Sequence, residues 1–181
     1  MSEAIDENFA HIRRLARDIA NKFGNATTPE QILRNELAGM FAVTVAATYE
    51  GIVKQTLISY AANFHEKYRD HVENDFGRLN ARISIDDLRS YSRHFGLREW
   101  TGPIAPPKSK GTTFHRLLKE KREVVERRFR TDMVQNYENL FLWRNAYAHE
   151  RTTSVTFRDV YEAHRVAQYV IRSFVKAFEL G

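Results

Sequence analysis

Apolar residues recur every three to four positions along most of the chain, and this period predicts α-helices from end to end. Residues 3–23 show it first, in a run that Gly24 is expected to end. The TPEQ segment that starts at Thr28 combines a capping residue, a proline at the first helical position and an acidic first turn, which predicts a second, long helix. Residues 37–48 of that helix are uncharged and apolar or small nearly all round, so we expect a central helix packed on several sides.

The middle of the chain is less regular. Residues 74–80 are expected to form a turn, and Ser84 is expected to cap a short helix that Gly96 ends. Residues 97–113 contain three prolines and two glycines, which disfavour a helix, so they are predicted to form a basic loop.

Two further helices are predicted in the last third. Residues 114–148 form the first, with a break expected near residues 131–132 and a turn over residues 149–155. Thr156 is expected to cap the final helix, whose apolar stripe includes His164, predicted to be a hydrogen-bonded core residue. No segment alternates as a strand. The predicted fold class is therefore all-α, an antiparallel bundle of four to five long helices with a short helical and loop insertion, in a single domain spanning residues 1–181.

The composition limits the kinds of protein that the chain can be. A chain of 181 residues can bury a sizeable core without disulfides, and it contains no cysteine, which fits a reducing compartment. The longest uncharged run, residues 37–49, is shorter than the ~20 residues that a membrane span requires, and residues 1–18 lack the pattern of a signal peptide. We therefore expect a soluble, cytoplasmic protein.

Positive charge is concentrated between Lys108 and Arg130. This segment has nine basic and three acidic residues, whereas the whole chain has a net charge of only +5. Such an excess suits a polyanion such as RNA, although an ordinary solvated helix face with interleaved charges would have the same composition. The candidate RNA-binding residues are Lys108, Lys110, Arg122, Arg127 and Arg128.

The stretch WRNAYAHE, residues 143–150, places an arginine, a carboxamide and an imidazole within two helical turns. Asn145 and His149 are four apart and share a helix face, whereas Arg144 and His149 are five apart and point about 140° away from each other on a straight helix. Convergence therefore requires either that the helix unwinds near Ala148 or that a second copy of the motif, across a dimer axis, completes the site. The histidines are otherwise scattered and no zinc-binding spacing occurs, so we predict no metal site.

Arg144-Asn145, three residues and then His149, on a helix followed by a turn and a final amphipathic helix, resembles the ribonuclease signature of the HEPN superfamily. The order of elements also resembles the RiboL-PSP branch, because a long, nearly uncharged helix with Glu50 near its end precedes the motif helix. The resemblance covers residues 28–60 and 135–178. It does not extend to the first helix or to the insertion between residues 74 and 110.

The resemblance implies a metal-independent endoribonuclease without a cofactor, often a toxin or antiphage effector, that acts as a homodimer with both motifs at the interface. In such an enzyme His149 would act as base or acid, and Arg144 would hold the phosphate. Asn145 would orient His149 or the scissile phosphate, and Glu50 would hold Arg144 or, in the ordinary reading, pair with Lys54. Tyr147 would stack on a base or donate a hydrogen bond.

The sequence also leaves open a non-catalytic role. Arg144 and His149 could form a buried pair that ties two helices together, with the motif serving only as scaffold. The chain would then be a non-catalytic helical dimerisation or binding module, associated with RNA or with a protein such as a nucleotidyltransferase-like antitoxin. Modification of a tyrosine two residues after His149, known in such pairs, is not available, because Arg151 stands there.

Overall fold

The computed structural model describes residues 2–23, 28–77, 83–97, 112–150 and 155–181, and these form seven α-helices without a β-strand. The helices are α1 (Ser2–Phe23), α2 (Thr28–Ala62), α3 (Glu66–Gly77), α4 (Ile85–His94), α5 (Thr113–Phe129), α6 (Met133–Glu150) and α7 (Phe157–Leu180). The predicted all-α class is confirmed. Five helices are long. The short α4 falls in the predicted insertion, whereas most of the short α3 lies before it and was not predicted.

Side-chain caps begin two helices where the sequence predicts them. The Ser84 hydroxyl accepts a hydrogen bond from the Asp87 amide at 3.1 Å, and the Asp87 carboxylate accepts one from the Ser84 amide at 2.9 Å. Thr156 and Asp159 form the same reciprocal arrangement at the start of α7. Each cap satisfies backbone N–H groups that have no partner within the helix, which fixes the residue at which the helix begins.

The break between α5 and α6 is confirmed and lies at residues 130–132. Arg130 adopts a left-handed conformation with φ of 55°, which ends α5. The Asp132 carboxylate then accepts a hydrogen bond from the Val134 amide at 2.8 Å, at the start of α6.

Two predicted boundaries are wrong. Helix α6 continues through Glu150, two residues beyond the predicted end, and α3 continues to Gly77 across part of the predicted turn at residues 74–80. Asparagine and aspartate each lower the stability of a helix by only a few tenths of a kcal/mol. Asn74 and Asp75 therefore do not end a helix that also packs against the rest of the protein. The predictions for Gly24 and for most of the loop at residues 97–113 lie outside the described residues.

The described residues divide into two compact units. The motif unit comprises Met1–Tyr49 and Gln135–Gln168, and the insertion unit comprises Glu50–Val134 and Tyr169–Gly181. Helices α2 and α7 each contribute to both units, and α6 contributes its first two residues to the insertion unit. The single domain over residues 1–181 stays a prediction.

Four helices of the motif unit contribute one aromatic side chain each to a shared core. Phe9 of α1 meets Tyr49 of α2 edge-on with ring centroids 5.9 Å apart, and Tyr49 stacks on Tyr137 of α6 at 6.0 Å. The Tyr49 hydroxyl is 2.9 Å from Nδ1 of His164 on α7. All four residues are fully buried, so the prediction that His164 is a hydrogen-bonded core residue is confirmed.

The insertion unit has an aromatic core of its own. Tyr60 of α2 meets Phe178 of α7 edge-on at 5.1 Å, and Phe114 of α5 meets Phe174 of α7 at 5.7 Å. Helix α4 packs against α5, and the Thr113 amide donates to the Leu97 carbonyl at 3.2 Å. Burial raises the pKa of Tyr60, because an apolar environment disfavours the charged phenolate.

The expectation that residues 37–48 are packed on several sides is only partly met, because one face of α2 is uncovered. Leu33 is 47% exposed, Met40 is 54% exposed and Ala47 is also exposed. These residues are seven apart, so they lie on the same face of the helix. Residues Glu36–Ala62, with mean hydropathy 1.2, are long and apolar enough to cross a membrane by those criteria alone, but half of the tested window is buried, and the core helix of a soluble protein passes the same test.

Candidate functional site

The last two turns of α6 carry the WRNAYAHE motif out of the core. Leu140 is fully buried, Arg144 is half-buried, and Ala148 and His149 are exposed. The motif therefore lies where α6 passes from the core of the motif unit to its surface. This placement lets the guanidinium of Arg144 keep access to water while its aliphatic stem packs, which avoids the cost of burying a charge.

Arg144 is oriented by its neighbour. Its Nη1 donates a hydrogen bond to Oδ1 of Asn145 at 2.9 Å. The sequence predicts that Asn145 orients His149 or the phosphate, whereas the described contact of Asn145 is with Arg144. The carboxamide of Asn145 therefore orients the guanidinium of Arg144 through one of its edges.

His149 lies exposed in the last turn of α6, and within the described parts of the chain its ring has no hydrogen-bond or ion-pair partner. Because α6 stays helical through Glu150, the side chains of Arg144 and His149 leave the helix about 140° apart and about 7.5 Å apart along its axis. The alternative that the helix unwinds near Ala148 is therefore wrong. So is the buried pair, because His149 is exposed.

Tyr147 connects the motif helix to α2. Its hydroxyl donates to Oε2 of Glu36 at 3.1 Å, and its ring covers Gly39 so closely that a Cβ at that glycine would overlap ring atoms. Both predicted roles of Tyr147 in RNA recognition stay predictions, and the hydrogen bond that the structure describes goes to a carboxylate of the protein. The sequence predicts neither Glu36 nor Gly39 as a partner of Tyr147. The only signal was Gly39 itself, a glycine inside an otherwise continuous helical pattern.

Glu50 is half-buried in α2 and is the first residue of the insertion unit. Its predicted role in holding Arg144 stays a prediction.

The candidate RNA-binding residues differ in how far their charges are already paired. Arg122 is ion-paired with Asp132, whereas Arg127 donates from Nε to the Glu123 carbonyl at 3.2 Å. The Arg128 guanidinium lies 5.4 Å from the ring centroid of Phe129. All three arginines are exposed on α5, and Lys108 and Lys110 lie outside the described residues. A role for this segment in RNA binding stays a prediction.

Comparison with known proteins places the chain in a family. A sequence model of the family RiboL-PSP-HEPN matches residues 7–180, which includes most of α1 and the whole insertion. No curated protein and no solved structure matches the chain. HEPN domains are generally related to ribonucleases or bind nucleotides. Because the match covers nearly the whole length and the fold is all-α, the chain belongs to the RiboL-PSP-HEPN family of the HEPN superfamily.

Proposed function

We propose that the protein is a metal-independent RNA endonuclease whose active site forms where two copies of α6 meet. The observation that carries this proposal is the regular helix through Glu150, which holds Arg144 and His149 on different sides of one α6. One chain cannot easily direct both groups at one phosphate. A two-fold axis beside α6 would set the Arg144 of one protomer opposite the His149 of the other.

The uncovered apolar surface of the motif unit supports such a dimer. Leu142 is 64% exposed and lies seven residues before His149, on the same face of α6. Helix α2, which α6 contacts through Tyr147, exposes Leu33 and Met40. A second copy is the occupant that this surface fits best, because it would bury these side chains and also complete the catalytic groups.

The residue types suit cleavage by the neighbouring 2′-hydroxyl. A neutral His149 imidazole takes the 2′-hydroxyl proton, the 2′-oxygen attacks the adjacent phosphorus, and the bond to the 5′-oxygen breaks. The protonated His149 of the second protomer gives its proton to the departing 5′-oxygen. Arg144, held by Asn145, balances the charge on the phosphoryl oxygens. The products are a 2′,3′-cyclic phosphate and a 5′-hydroxyl end.

The biological role that we propose is that of a cytoplasmic toxin or antiphage effector. An enzyme of this kind needs restraint in its own cell. Because His149 is exposed at the end of a helix, a protein partner such as an antitoxin could block the proposed site by covering that end.

The test is cleavage of single-stranded RNA in EDTA by the wild type, His149→Ala and His11→Ala. His11 is an exposed histidine of the same unit, so its variant controls for the loss of an imidazole. General acid–base catalysis contributes about 10² to 10⁴ in rate, so His149→Ala should be inactive on a gel that shows normal cutting by the other two. The products should carry 5′-hydroxyl ends, which a polynucleotide kinase labels without prior phosphatase treatment.

Either of two results would overturn the proposal. If the folded wild type does not cut RNA, or if His149→Ala cuts as fast as His11→Ala, the motif is scaffold. The exposed apolar surface of α2 and α6 would then favour the alternative of a non-catalytic dimerisation module.

A further inference from the structure

A cleft of about 290 Å³ lies between α1 and the first turns of α7, within the motif unit. Three arginines line it, Arg13 and Arg17 from α1 and Arg158 from α7. Its walls include Ala16, the buried Phe157 and the half-buried Tyr161. The cleft therefore combines cationic groups with an aromatic wall.

Helix geometry explains why the three cations meet. Arg13 and Arg17 are four residues apart on α1 and share a face, next to the small Ala16 that lets α7 approach. Arg158 and Tyr161 are three residues apart on α7 and share the facing side. All three arginines are exposed, so the cleft is open to solvent.

The charge of the cleft is not neutralised within the part of the chain that the structure describes. There, none of the three guanidinium groups forms a hydrogen bond or an ion pair. The two carboxylates within four residues of Arg158 on α7 have other partners, because Asp159 accepts the Thr156 amide at 2.9 Å and Glu162 pairs with Arg165 at 2.7 Å. Three like charges around one depression repel one another, and a bound anion would relieve that repulsion.

The lining selects the chemistry of the ligand. Guanidinium groups match the oxygens of a phosphate with paired hydrogen bonds, and an aromatic ring offers a surface on which a base stacks. The volume is close to the lower end of the roughly 300–1,000 Å³ range of small-ligand sites, which suits one nucleotide unit. The open form of the cleft allows a chain to continue on both sides of that unit.

We propose that this arginine cleft binds a nucleotide unit of the RNA strand, with its phosphate on Arg13, Arg17 and Arg158 and its base against Tyr161. This inference rests on the proposed ribonuclease function and adds a place, outside the Arg144/His149 site, where the substrate is held. Arg158 follows His149 by nine residues, so their Cα atoms are at most about 32 Å apart. An RNA of roughly ten nucleotides spans that distance even at the 3.4 Å rise of a stacked strand.

The experiment measures binding of a fluorescein-labelled single-stranded RNA of about 20 nucleotides by anisotropy, over a series of salt concentrations. Every protein carries His149→Ala, so the RNA stays intact and binding is measured without catalysis. The test variant is Arg13→Gln with Arg17→Gln. The matched control is Arg14→Gln with Lys22→Gln, which removes the same charge from exposed positions of the same helix outside the cleft.

The cleft variant should bind the RNA at least about tenfold more weakly than the control. The slope of log affinity against log salt should also fall by about 1.4, since each phosphate contact to a single strand contributes about 0.7. In a separate variant, Tyr161→Leu should lower affinity about fivefold or more, whereas Tyr161→Phe should keep it, because only the first removes the stacking surface.

Equal losses in the cleft variant and the control would overturn the inference. It would also be overturned if adenosine monophosphate binds the protein through Arg13 and Arg17 while RNA affinity stays unchanged, because the cleft would then be a site for free nucleotides. Failure of the proposed function is seen separately. If the wild type does not cut RNA but its His149→Ala form binds RNA through the cleft, only the cleavage proposal is wrong.

Discussion

Gly39 shows how closely the motif helix and α2 approach each other. A Cβ added there would overlap ring atoms of Tyr147 near the base of its side chain, where the ring cannot swing away at little cost. We expect Gly39→Ala to be destabilising, because overpacking costs about 1–3 kcal/mol while the gain in helix propensity returns only about 1 kcal/mol. The free energy of unfolding in urea measures the difference.

Gly51 is the matched control for that substitution. It lies in the same helix, is exposed, and a Cβ there meets nothing within 4 Å. Gly51→Ala should therefore stabilise the protein by up to about 1 kcal/mol. If both variants were equally stable, the packing of Tyr147 on Gly39 would not restrict the side chain at residue 39.

The sequence identifies candidate site residues but not their partners in the fold. Arg144, Asn145 and His149 stand out because an arginine, a carboxamide and an imidazole occur within two helical turns. The hydrogen bond from Tyr147 to Glu36 joins residues 111 positions apart, and it depends on how α2 and α6 pack. No local pattern carries that information.

At the scale of elements, α5 is the basic helix whose role the sequence leaves open. Reversing Arg127 and Arg128 to glutamate should weaken RNA binding and flatten its salt dependence, because two exposed cations would stop meeting phosphates. Binding is measured by anisotropy as a function of salt in the His149→Ala protein.

The control for α5 exchanges two charged residues that already pair with each other. Arg116 pairs with Glu120 at 2.9 Å, and Arg122 pairs with Asp132. Exchanging Arg116 with Glu120 keeps the net charge and should leave the affinity unchanged. If reversal of Arg127 and Arg128 also leaves it unchanged, the basic segment is only a solvated face.

Helix starts and breaks were predicted well because their causes are local. Ser84 and Thr156 carry caps that can be read from four consecutive residues. The true end of α6 was not predicted, since no glycine or proline marks it. Helix α3 was not predicted either, and its end at Gly77 lies inside the segment that the sequence predicts to be a turn. The exposed face of α2 was also not predicted, because an apolar sequence looks the same whether its neighbour is another helix or solvent.

At the scale of the whole molecule, the proposed dimer predicts how inactive subunits affect active ones. If both His149 side chains serve one site, a dimer of one wild-type and one His149→Ala chain lacks either the base or the acid. Wild type and His149→Ala are mixed in equal amounts, unfolded and refolded. The activity should then be about one quarter of that of wild type at the same total protein concentration, since only that share of dimers is fully wild type.

Independent subunits would instead retain about one half of the activity in the equal mixture. A matched mixture with His11→Ala should lose nothing. Light scattering of the same samples must show a dimer, and a monomer at the working concentration would contradict the composite site.

Trp143 gives the protein an optical signal at its own motif. The chain contains two tryptophans, and Trp143 is half-buried directly before Arg144 in α6. Replacing Trp100 with phenylalanine leaves one indole, whose emission depends on how much water surrounds it. Subunit association or a bound strand beside α6 would exclude that water, so the fluorescence of one native side chain follows the assembly of this site in real time, without an added label.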